Sequence, residues 1–196
     1  MITAVILAAG ASKRMGQPKM LLPWGNGTVL TQVITVFQNA GIEDILVITG
    51  GARQQVEELV SSLSVRTAYN ENHTSGEMVS SIQCGIKLLT SQTQAILIGL
   101  GDQPQVQEGS VRLVCEAYRA LKSNLVVPSY QKRRGHPWLV AYPFWDELLA
   151  MKSPRSPRDF LNTHHDEIQY VEVNDPNILA DLDTPEDYQR WRPLIP

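Results

Sequence analysis

The chain has 196 residues, of which 43% are hydrophobic and 19% charged, and its formal net charge is −3. That length suits a single domain, residues 1–196, with a core that needs neither metal nor disulfide staples. The mild acidity excludes a broad electrostatic grip on nucleic acid but leaves room for a local basic loop around a small phosphorylated ligand.

Cys84 and Cys115 are the two cysteines; far apart and without a CxxC pair, they read as small buried hydrophobes. The apolar run at the start is too short to span a bilayer and has its charges, Lys13 and Arg14, behind it. The expectation is a soluble, cytoplasmic protein with no membrane partner.

Ala4–Leu7 reads as a buried strand, followed by a loop from Ala8 to Thr28. Leu30, Val33, Ile34 and Phe37 recur with helical spacing, and Gly41 ends that helix. Ile45–Ile48 is the second strand, closed by Gly50 and Gly51. Val56, Leu59, Val60 and Leu63 mark a second helix, and 65–69 a short strand. A third helix spans 78–89. Ala95–Ile98 is a strand running into Gly99-Leu100-Gly101-Asp102. Val111, Val114, Cys115, Tyr118 and Leu121 mark the next helix, and 125–128 a fifth strand. The alternation implies a mostly parallel, mixed sheet covered on both faces, a Rossmann-like three-layer α/β sandwich.

Beyond Pro128 the rhythm changes. Residues 131–137 form a polar, basic loop, 138–142 a strand, and 143–151 a helix. Ser156, Pro157 and Asp159 have the spacing of a helix start. A strand over 168–173 follows. Thr184-Pro185-Glu186-Asp187 repeats the helix-start pattern before a last helix at 188–192.

Ligands of open parallel sheets bind beyond the carboxyl ends of the strands. There, Ala8, Ala9 and Gly10 are small enough for a base or phosphate to approach the main chain, Ser12 lies in the turn, and Lys13, Arg14 and Lys19 add positive charge. This suits a polyphosphate; the alternative is a basic, solvent-exposed loop. The stretch is neither a GxGxxG fingerprint nor a P-loop. Asp102, on the same rim, either places Mg²⁺ between itself and the phosphates or merely makes a turn with Gln103-Pro104 or caps a helix. Asp181 and Asp183 either supply a second carboxylate, to that metal or to a second one, or complement a helix dipole. His136, on the residues alone, is a loop histidine beside a proline turn. His73, His164 and His165 read as surface residues. The four tryptophans read mainly as packing groups, with Trp138 set apart because it follows Gly135-His136-Pro137.

In order, Leu7-Ala8-Ala9-Gly10-Ala11-Ser12-Lys13-Arg14-Met15-Gly16 with Lys19, Gly101-Asp102-Gln103-Pro104, Gly135-His136-Pro137 and Asp181-Leu182-Asp183-Thr184-Pro185-Glu186-Asp187 resemble the molybdenum cofactor cytidylyltransferases of the MobA-like nucleotidyltransferase group. The resemblance spans nearly the whole chain. It implies a GT-A-like fold and Mg²⁺-dependent transfer of CMP from CTP to the molybdenum (molybdopterin) cofactor. Ala8, Ala9, Gly10 and Ser12 would lie in the nucleotide loop, and Arg14 and Lys19 would hold the triphosphate. Asp102 and Asp183, or Asp181, would be on the metal side. Asn70 and the stretch from Gly76 through Ser80, Ser81 and Gly85 would line the nucleotide pocket, and Gly135, His136 and Pro137 would face the pterin. Ala9 points to CTP rather than GTP. A molybdenum hydroxylase apoenzyme is a further partner of this class. The rival readings are a transferase for a sugar or isoprenoid phosphate and a non-catalytic carrier of the cofactor.

Overall fold

Strands that are apolar along their whole length need cover on both faces, and the chain supplies it. A computed structural model describes residues 1–12, 14–75 and 78–193. The first half lays down β1 (Ile2–Ala8), the small hairpin β2 (Pro23–Trp24) and β3 (Gly27–Thr28), α1 (Val29–Asn39), β4 (Asp44–Thr49), α2 (Arg53–Val60), β5 (Arg66–Tyr69) and α3 (Met78–Lys87). The second half adds β6 (Ala95–Leu100), α4 (Glu108–Leu121), β7 (Leu125–Tyr130), β8 (Arg133–Arg134), β9 (Trp138–Ala141), α5 (Trp145–Ala150), α6 (Pro157–Thr163), β10 (Gln169–Glu172) and α7 (Pro185–Trp191).

The eight-stranded sheet runs β10-β7-β9-β6-β1-β4-β5, with β8 beside β7. β9 is antiparallel to both neighbours and β8 to β7, while the other pairings are parallel. Alternate residues of one strand feed opposite layers. Ala4, Ile6 and Ala8 join the core under α1, α2 and α4. Val5, Leu7 and Ala9 join the core under α3, α5 and α6. Register brings the strand ends level: Ala8 pairs with Thr49 and Leu7 with Leu100. The segments after β1, β4 and β6 therefore leave from one edge.

Several local expectations change. The stretch 8–28 is not a plain loop, since it holds a 3-10 turn at Lys19–Leu21 and the β2–β3 hairpin. Thr28 then starts α1 through a reciprocal cap with Thr31, where a threonine replaces the usual Glu or Gln. The fifth strand passes Pro128 because β9 pairs only with Leu125 and Val126, and the proline carbonyl still accepts from Gly135 N at 3.0 Å. Residues 143–151 divide into a 3-10 turn at Tyr142–Phe144 and α5. Ser156 and Asp159 cap α6 as read from sequence. The last helix begins at Pro185, a turn earlier than expected, because the Thr184–Asp187 cap already fixes its first turn. Cys115 is buried, Cys84 is half-buried, and both are free. Among the described residues, no helix is long and apolar enough to cross a membrane.

Candidate active site

The loop after β1 is built from both sides. Ala8 and Ala9 are buried and Gly10 is exposed. An added Cβ on Gly50, in the turn after β4, would lie 2.4 Å from the Ala9 carbonyl oxygen, so glycine there lets the two turns touch. Gly101 serves the turn after β6 in the same way. Its N donates to the Leu7 carbonyl at 3.0 Å, and a Cβ would meet that oxygen at 3.1 Å. Ser12 adopts φ 49° and its Oγ accepts from Lys19 N at 3.1 Å, folding the loop back on itself. Met15 anchors it in a small apolar cluster with Leu22, Trp24, Val29 and Leu182. Lys13, expected to add charge here, lies outside the described residues.

Among the described residues, four charged side chains converge on this rim. Lys19 Nζ pairs with Asp102 Oδ2 and lies 3.2 Å from Asp183 Oδ1, and Arg14 Nη1 lies 3.1 Å from Asp183 Oδ2. Side-chain exposure rises from 10% at Lys19 and 16% at Asp102 to 41% at Asp183 and 73% at Arg14. The inner pair is therefore the desolvated one and the outer pair meets solvent. Burial alone would depress the Lys19 ammonium. The charges and hydrogen bonds of Asp102 and Asp183 outweigh it and hold Lys19 above its ordinary range. The loop is thus more than an exposed basic stretch, and Asp102 does more than make a turn.

The two acids before α7 divide their work. The Thr184 cap uses Asp187, whose Oδ2 also accepts from Asp183 N at 3.3 Å. Asp183 itself faces Lys19 and Arg14. Asp181 turns to Gln103, whose Nε2 donates to its Oδ1 at 2.7 Å. Burial, then the charge of Asp102, raises the Asp181 carboxyl above the usual range. Asp102 and Asp183 offer only oxygen donors around one shared cation, the Lys19 ammonium, and that donor chemistry fits a hard divalent ion. Among the described residues no three His, Cys, Asp or Glu side chains are grouped to hold a metal, so such an ion would need further ligands from a phosphate.

Asn70 is buried and its Nδ2 donates to Ser80 and Ser81 at 2.9 and 3.0 Å, tying the end of β5 to α3. Gly76 and Glu77, which the sequence placed on the pocket floor, lie outside the described residues. Next to Ser80, Met78 and Val79 open onto a separate groove of about 1030 Å³. Gly135, His136 and Trp138 line the groove, and five cations surround it: Lys132, Arg133, Arg134, Arg155 and Arg158. Gly135 is packed so closely that a Cβ would sit 2.4 Å from the Ile178 carbonyl oxygen, and His136 N donates to that oxygen at 3.1 Å. His136 is thus no ordinary loop histidine. Its Nε2 is covered and without a hydrogen-bond partner, and burial pushes the imidazole down to about 4, so it is neutral near pH 7.

Sequence reasoning missed the five-cation collar, although the basic runs 131–137 and 153–159 signalled both halves of it. It also misplaced His164, whose side chain is only 14% exposed. His164 bridges Glu147 at 2.7 Å and Glu167 at 2.6 Å and packs on Phe144 and Phe160. His165 is exposed as expected, and His73 is half-buried with its ring 5.5 Å from Tyr69.

The pattern of the MobA-like NTP transferase domain family matches residues 4–168. The chain is 27% identical to the molybdenum cofactor cytidylyltransferase of Escherichia coli over 95% of its own length and 93% of that protein's. It is 28% identical to the nicotine blue oxidoreductase of Paenarthrobacter nicotinovorans, over 96% and 95% of the two chains. The solved structure of Rv0371c from Mycobacterium tuberculosis superposes with a TM-score of 0.83 at 27% identity, covering 96% of each chain. A manganese complex of that protein superposes with a TM-score of 0.75 at 26% identity, again covering 96% of each.

Proposed function

The chain belongs to the family of MobA-like NTP transferase domains, a nucleotidyltransferase family, and from that premise we propose that it transfers CMP from CTP to the phosphate of a molybdopterin-type cofactor. The observation that carries the reading is the rim where Arg14, Lys19, Asp102 and Asp183 meet beside the Ala8-Ala9-Gly10 loop. The likeness to the E. coli cytidylyltransferase supports the base and the acceptor, as does Ala9 through the resemblance of its loop.

In the proposed reaction a phosphate oxygen of the acceptor attacks the α-phosphorus of CTP. The bond from that phosphorus to the bridging oxygen breaks, and pyrophosphate leaves with the electron pair. A phosphate monoester is already an anionic nucleophile, so placement and charge neutralisation do most of the work. Lys19 and Arg14 would turn from their carboxylates to the triphosphate oxygens. Asp102 and Asp183 would hold a divalent ion of the Mg²⁺ type, which when bound supplies positive charge to the phosphates. Asn70 and Ser80 support the nucleotide wall. In the groove, a neutral His136 suits a hydrogen bond to a heterocycle rather than a charge pair, and the arginines suit the acceptor phosphate. The product would serve a molybdenum hydroxylase apoenzyme.

Pyrophosphate release, measured with CTP, GTP, UTP and ATP in turn, with and without molybdenum cofactor, tests the proposal. Release that needs the cofactor and favours CTP supports it. Release with a sugar or isoprenoid phosphate instead moves the acceptor. Cofactor binding without release from any nucleotide leaves a carrier.

A further inference from the structure

The segment that ends in Asp183 is fastened to the loop after β6 at successive points. Gln105 Nε2 donates to the Ala180 carbonyl at 2.5 Å, Gln103 Nε2 to Asp181 Oδ1 at 2.7 Å, and Leu182 N to the Asp102 carbonyl at 3.2 Å. Upstream, Asp175 Oδ2 accepts from Gln107 N at 3.2 Å and Ser110 Oγ at 2.9 Å. Leu182 is fully buried in the apolar cluster with Met15 and Trp24. The segment is therefore pinned from below by an apolar plug and alongside by two glutamine amides.

Gln103 is 4% exposed, so its amide has no direct route to a nucleotide. Its donor goes to Asp181, and Asp181 faces this amide while Asp183 faces Lys19 and Arg14. A glutamine suits the place because it donates without bringing a second cation that would compete with Lys19 for Asp102 and Asp183. We propose that Gln103 is a positioning residue: by holding Asp181 it sets Asp183 beside Asp102, and Asp181 serves as the anchor rather than as a ligand of the divalent ion. The inference rests on the nucleotidyl-transfer reading of this rim and assigns separate tasks to its two neighbouring acids.

The probe is Mn²⁺ binding to the full chain, read from water proton relaxation with and without CTP, beside thermal melting of each variant. Asp183→Asn lowers Mn²⁺ affinity about tenfold or more, and Gln103→Leu does so by about tenfold although it touches no ligand, the scale typical of residues that orient metal ligands. Asp181→Asn keeps the wild-type affinity, because the new amide oxygen still accepts from Gln103. Gln103→Glu loses affinity by placing two carboxylates face to face, and the exchanged pair Gln103→Glu with Asp181→Asn recovers it by reversing the donor. That recovery separates positioning from a general loss of fold. The inference is overturned if Asp181→Asn weakens Mn²⁺ as much as Asp183→Asn, if Gln103→Leu leaves the affinity unchanged, or if the wild type binds no Mn²⁺ under either condition. The expected binding pattern without pyrophosphate release from any nucleotide refutes the transferase reading alone.

Discussion

The rim and the groove are both rich in charge, yet they hold it in opposite ways. At the rim each described cation has a carboxylate: Lys19 lies between Asp102 and Asp183, and Arg14 is on Asp183. In the groove the cations outnumber their partners. Arg155 reaches Glu147 at 3.5 Å, and Arg134 is held by the Tyr170 hydroxyl and Asn162. Lys132 and Arg133 have no ion pair among the described residues. A paired cluster is geometrically fixed before any ligand arrives. An unpaired collar keeps its positive potential for an incoming anion. The rim is accordingly preorganised for the nucleotide of the proposed reaction, while the groove keeps unspent charge for its proposed acceptor.

Breaking the rim should cost most. Asp102→Ala should reduce Mg²⁺-dependent pyrophosphate release by about a thousandfold, the order seen when a key electrostatic contributor to a transition state is lost, with circular dichroism unchanged. Near-wild-type turnover would remove Asp102 from the reaction. Arg14→Ala and Lys19→Ala should each cost about 1.5–3 kcal/mol of CTP binding or turnover, the worth of a charge-assisted bond. Titration calorimetry and steady-state kinetics would show it, and unchanged values would return the loop to a solvated basic stretch. Arg133→Ser combined with Arg158→Ser should raise the KM for the acceptor by about tenfold while leaving the KM for CTP alone, as expected for rim-exposed charges. An equal rise in both would mean that the two regions are one site. Ala9→Gly should narrow the CTP-to-GTP preference by only a few fold, since small changes in a pocket carry modest discrimination.

The smallest effect concerns pH. His164 is held above its ordinary value of 6.5 because the hydrogen bonds it donates to Glu167 and Glu147, with their charges, outweigh its burial. A group raised on folding stabilises fully below its unfolded value and loses that contribution as pH rises through the folded one. His164→Gln should therefore lower Tm by a few degrees, about the shift of one such interaction, below pH 6.5, and the gap should close in alkaline buffer. A gap that persists at high pH would assign His164 to packing on Phe144 and Phe160 alone.

Much of this was legible from the residues because it follows local rules. The apolar runs of β1, β4 and β6, the caps at Ser156 and Thr184, and the small residues at Ala8, Ala9 and Gly10 all declare themselves within a few positions. Legibility ended where the partner is distant. Nothing near Gln103 shows that its amide will meet Asp181, and nothing near Glu147 shows that His164 will lie between two glutamates. The collar was half visible, since both basic runs stood out, but only the contacts of α6 with β8 and β9, Asn162 on Arg134 and Phe160 on Trp138, bring Arg158 to the same groove as Arg133. The β2–β3 hairpin escaped because two-residue strands carry no periodicity.

The family pattern closes at residue 168, but Asp183 reaches Lys19 from well beyond that boundary. The terminal arm is therefore a borrowed limb of this charged rim rather than an appendage. Its hold on the rest is mechanical as much as chemical, since the Tyr188 hydroxyl donates to the Pro23 carbonyl at 2.6 Å and Leu182 is lodged under the first loop. A chain shortened to the family boundary would keep seven of the sheet's eight strands, its glycine turns and Asp102, yet would lose the edge strand β10, the Asp183 carboxylate and the latch over the hairpin in the same cut. In modular terms, the smallest unit that keeps this rim whole is longer than the smallest unit that defines its lineage.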